Sequence, residues 1–98
     1  MILTTHFIER VRSRIGPHVD ARALGRHILD GIDTGESEFI GRVNRYGLRC
    51  FRFQVPEDGR SLYALVDTSR ACMVTVLPAG FRISRQKATS IKLKEVDL

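Results

Sequence analysis

At Gly35 the spacing of apolar residues changes from helical to alternating, so the chain reads as helices followed by strands. Upstream, Phe7, Ile8, Val11 and Ile15 mark one face of a helix over residues 5–15. Thr4 or Thr5 can cap it, Glu9 sits early in it, and Gly16-Pro17 ends it. A second helix is expected from Asp20, a good N-cap, to about Leu29. Leu24 and Ile28 form its apolar line, with Ala21 and Ile32 as extensions, and Asp30-Gly31 is its stop.

Downstream, residues 38–43, 48–55, 62–66 and 71–77 read as four strands. The turns between them are Asn44-Arg45-Tyr46-Gly47, Pro56-Glu57-Asp58-Gly59 and Asp67-Thr68-Ser69-Arg70. Such short connections imply antiparallel neighbours. The expected fold is therefore α+β, with two N-terminal helices packed on a four-stranded antiparallel meander sheet. The last two strands are apolar on both faces, which places them centrally with both sides covered. Residues 1–80 form one domain, and residues 81–98 are a basic C-terminal tail that either adds a strand near residues 91–96 or stays mobile.

Ninety-eight residues suffice for one core and leave no room for a separate cofactor domain. No apolar run approaches the roughly 20 residues of a membrane span, and the first residues lack a signal-peptide pattern, so a cytoplasmic protein is expected. Cys50 and Cys72 lie in alternating apolar stretches and read as free buried thiols. The net charge is +5, from 16 basic and 11 acidic residues, and thirteen of the basic ones are arginine. Arginine grips phosphate in two-pronged fashion, which suits nucleic acid; a GC-rich genome produces the same bias.

His6, Arg10 and Arg14 are spaced i, i+4, i+8 along the first helix. They span an arc of roughly 80° beside the apolar stripe, at the rim where the helix meets the sheet. Half-covered charge there can hold a phosphate, although any amphipathic helix also needs a polar side. This His6-x-x-x-Arg10-x-x-x-Arg14 opening precedes two helices, a four-stranded meander and a last strand Val74-Thr75-Val76-Leu77-Pro78. Together, over residues 5–78, these features resemble small bacterial and phage domains related to RelE/ParE-type toxins, within the barnase–EndoU–colicin–RelE group.

The resemblance implies a toxin-like RNA-binding protein with metal-independent endoribonuclease activity. Its catalytic set would be His6, Arg10, Arg14 and Thr75. His6 would carry the proton, helped toward its neutral form by the two arginines, which would stabilise the phosphate, and the Thr75 hydroxyl would bond a phosphate oxygen. Arg52, Arg82, Arg85 and Lys87 are further nucleic-acid-binding candidates. RNA, a cognate antitoxin or a host protein, and a second copy of the chain are the partners this implies. The family's C-terminal tyrosine has no counterpart, since Tyr46 and Tyr63 lie earlier.

No cofactor is expected. The three histidines lack compact metal-ligand spacing with Cys or acid, and Gly31-Ile32-Asp33-Thr34-Gly35 lacks the lysine of a P-loop. The alternative is a non-catalytic phage or mobile-element protein that docks on a host protein or nucleoprotein through an uncovered sheet face or edge.

Overall fold

The computed structural model describes residues 1–78, 80, 81, 83–85 and 91–93. The chain runs β1 (Ile2–Leu3), α1 (Thr5–Arg14), α2 (Ala21–Thr34), β2 (Glu38–Arg42), β3 (Leu48–Gln54), β4 (Ser61–Asp67), β5 (Cys72–Val76), β6 (Ile83–Arg85) and β7 (Ile91–Leu93). Thr4 caps α1: its hydroxyl accepts the Phe7 N–H at 2.9 Å and donates to the Val74 carbonyl at 2.8 Å. One side chain thus starts the helix and ties it to β5. Asp20 caps α2 in the same manner, accepting the N–H groups of Arg22 and Ala23 at 2.9 and 3.1 Å.

The second helix does not stop at Asp30-Gly31. It continues to Thr34 and closes on Gly35, whose φ of 88° is the left-handed conformation of a helix C-cap. Gly31 is a glycine for a different reason. Ser37 folds back against it to donate its hydroxyl to the Ile28 carbonyl at 3.0 Å, and a Cβ at position 31 would overlap Ser37 Oγ. The contact turns the chain from helix into β2.

The meander β2–β3–β4–β5 is antiparallel as the turns imply, but the sheet has five strands in the order β1-β5-β4-β3-β2 and is mixed. The extra strand is β1, parallel to β5 with Ile2 beside Cys72 and Leu3 beside Met73. Two residues carry no alternation, so the sequence pattern could not reveal it. Two register shifts bend the sheet, one between Phe39 and Gly41 in β2 and one opposite Leu65 and Val66 in β5. β6 and β7 form a separate antiparallel hairpin, with β7 beside β2.

The sheet is buried on both faces. On one, Phe7 and Val11 of α1 and Leu24 and Ile28 of α2 pack on Phe51, Phe53, Leu62, Ala64, Val66 and Met73. On the other, Cys50, Leu65 and Leu77 form a smaller cluster flanked by Tyr63, Val74 and Phe81. The helices also close the open ends of strand edges. Arg14 donates to the Val76 carbonyl at 2.6 Å where β5 runs past β1, and His27 Nε2 pairs with the Gln54 carbonyl at 2.9 Å where β3 runs past β2. None of the described helices is long and apolar enough to cross a membrane.

Both cysteines are free and buried. Burial pushes the Cys50 thiol from an ordinary 9.0 up to about 12. The fold therefore favours the protonated thiol: its contribution is intact below about pH 9 and is lost as pH rises toward 12, at about 1.4 kcal/mol per pH unit. Urea midpoints should drop between pH 8 and pH 10 in the wild type and less in Cys50→Ala. A thiol reagent at pH 8 should label Cys50 only after unfolding. Labelling of the native chain at Cys50 would contradict this placement.

Candidate nucleic-acid interface

The α1 row is half-buried along its length: His6, Arg10 and Arg14 are all of intermediate exposure, as the rim position predicted. None of the three stands free. Arg10 Nε is buried, and the Arg14 guanidinium holds the Val76 carbonyl. Leu77 gives its N–H to Tyr63 at 2.8 Å, so the Val76 carbonyl points the opposite way, out of the sheet toward α1. Arg14 is thus a clamp between helix and strand edge.

Thr75 is not brought into this row. It lies opposite Leu65, on the face away from the helices, and its side chain is fully buried. Its hydroxyl reaches the Val76 carbonyl at 3.5 Å, the acceptor that Arg14 uses from the helix side. The strand backbone thus lies between Thr75 and the α1 cations, and with no accessible surface the hydroxyl offers nothing to a phosphate.

Arg52 is exposed but already paired with Glu38 directly across β2. The two border a cavity of about 350 Å³ between α2 and the end of β3, where Glu36, His27 and Ser61 also face. Two carboxylates make that cavity a poor seat for phosphate. Arg85 ends β6. Arg82 and Lys87 lie outside the described residues. Among the described residues, no three His, Cys, Asp or Glu side chains gather as metal ligands would.

A more open basic surface lies on the β2–β3 hairpin, which the sequence argument passed over. Arg42 pairs directly opposite Arg49, so two guanidinium groups share one face of an antiparallel ladder. Like charges in that position cost about 0.2–1 kcal/mol. Among the described residues, neither has a carboxylate partner; Arg49 reaches only the carbonyl of its neighbour Leu48, at 3.3 Å. The turn beyond them carries Arg45, whose guanidinium lies 5.0 Å from the Tyr46 ring centre and bonds its hydroxyl at 2.8 Å. Tyr46 is 73% exposed.

This turn is held in place. The Asn44 side-chain oxygen accepts the N–H groups of Tyr46, Gly47 and Leu48 at 2.8, 3.3 and 3.3 Å. Thr68 of the β4–β5 turn donates its N–H to Gly47 at 3.2 Å, tying the two turns together. The nearby acid is committed locally: the Asp67 carboxyl is held below the usual carboxylate range, first by the Ser69 hydroxyl and then by Arg70. The missed signal was countable. A tight turn at residues 44–47 leaves Arg42 and Arg49 opposite each other.

Comparison of the chain with protein-family models, curated proteins and solved structures gives no match.

Proposed function

We propose that this is a small RNA-binding protein whose main contact surface is the β2–β3 hairpin. The observation that carries the proposal is the Arg42–Arg49 pair: two like charges facing each other across a ladder, a cost that a bound phosphate removes. Arg45 adds a third cation, and the excess of arginine over the whole chain supplies long-range attraction. The test is fluorescence anisotropy of a labelled RNA over a range of salt. Three phosphate contacts on a single strand give a log–log slope of about −2. No binding at 50 mM salt, or binding indifferent to salt, would remove the proposal.

Cleavage of RNA by the α1 row is a second reading, favoured by the common flank that His6, Arg10 and Arg14 occupy. It proceeds without Thr75: His6 takes the proton of the ribose 2′-OH, the 2′-oxygen bonds to phosphorus as the P–O5′ bond breaks, and the departing 5′-oxygen takes a proton from water, with Arg10 stabilising the phosphate and Arg14 keeping α1 on the strand edge. Its check is incubation with RNA in EDTA beside His6→Ala. Cleavage by the wild type alone supports it; equal cleavage by both proteins, or none, discards it.

A further inference from the structure

We infer that the hairpin surface takes an unpaired stretch of RNA, with phosphate on the Arg42–Arg49 pair and a base stacked on Tyr46; this rests on the RNA-binding reading above. The guanidinium of Arg45 lies near the tyrosine ring, yet the residue keeps 73% of its surface exposed, which leaves a ring face to solvent. An aromatic ring with a cation over one face and the other face open is a stacking platform for a nucleobase. Asn44 holds the backbone of the turn through three N–H groups, and Arg45 contacts the ring and its hydroxyl, so less ordering is left to binding. From Arg49 to Tyr46 is three residues of chain, at most roughly 10 Å even if fully extended. One run of sugar-phosphate can reach from the pair to the ring.

A duplex can satisfy the arginines but not the tyrosine. Its base faces are stacked on one another, and only its ends present one. Charge alone is therefore shared between paired and unpaired RNA, while the ring discriminates between them. Truncation of a base-stacking aromatic weakens single-strand binding by about 5- to 150-fold.

The experiment uses the full chain, a labelled 12-nucleotide single-stranded RNA and the blunt duplex of the same sequence, at one fixed salt concentration. Tyr46→Ala and Tyr46→Phe are compared with wild type. Tyr46 is exposed and outside the core, so both variants should fold, which a melting curve verifies. The wild type is expected to prefer the single strand by at least 10-fold. Tyr46→Ala should lose that preference and keep its duplex affinity, whereas Tyr46→Phe retains the preference. The chain has two tyrosines and no tryptophan, so quenching of tyrosine emission by unlabelled single strand is a second readout, lost in Tyr46→Ala. Equal affinity for the two RNAs, or an undiminished preference in Tyr46→Ala, overturns the inference while leaving RNA binding in place. Failure to bind either RNA overturns both.

Discussion

Replacing Arg42 and Arg49 together by glutamine is expected to weaken RNA binding by about 100-fold while leaving the protein as stable as before, or slightly more so. Each charge-assisted contact to phosphate contributes about 1.5–3 kcal/mol, so two lost contacts account for the drop with some allowance for redundancy. The salt slope should fall from about −2 to about −0.7, because one hairpin phosphate contact then remains. Stability should move the other way. The two residues stand opposite each other across β2 and β3, and relieving the repulsion of like charges there returns about 0.2–1 kcal/mol. Opposite signs in binding and stability are what a functional charge pair produces. Parallel losses would make the pair structural instead. The readouts are anisotropy and thermal melting on the same preparations.

A second large effect is expected at the junction of helix and sheet. In an exposed helix Gly→Ala stabilises by about 1 kcal/mol. At Gly31 the sign should reverse, with a net loss of about 1–3 kcal/mol, because the new Cβ meets Ser37. Ser37 must rotate away and give up its bond to the Ile28 carbonyl, while its backbone nitrogen, 3.1 Å from the new methyl, stays in the way. In a Ser37→Ala background the same substitution should cost less, since the overlapping oxygen is gone. Chemical denaturation of the four proteins closes the cycle. A stabilising Gly31→Ala, or strict additivity of the two changes, would contradict the contact.

These sites also mark what the sequence could and could not disclose. The change of period at Gly35 located the helices, and the turns at residues 44–47, 56–59 and 67–70 ordered the meander, because both signals are local. Gly31 was taken as a helix stop since glycine commonly ends helices, and only the fold-back of Ser37 reveals its packing role. β1 escaped notice because Ile2 and Leu3 gain their strand character from β5, seventy residues away. Thr75 entered the candidate set through the family resemblance alone; its neighbours Val74 and Val76 are apolar, and the register shift opposite Leu65 and Val66 and burial on both sheet faces decide where its hydroxyl goes.

The α1 row was read correctly as a half-covered rim, since helical geometry sets that spacing. That Arg14 spends its guanidinium on the β5 edge depends on tertiary structure. The hairpin pair lay between the two cases: Arg42 and Arg49 flank a tight turn, and pairing them needs only the register that the turn imposes.

The most direct measurement is a ¹⁵N-labelled backbone amide titration with the 12-nucleotide single-stranded RNA. Binding at the hairpin predicts the largest, saturable shifts at Arg42, Arg45, Tyr46 and Arg49, with Phe7 and Val11 unmoved. Shifts confined to His6, Arg10 and Arg14, with the hairpin silent, would contradict it.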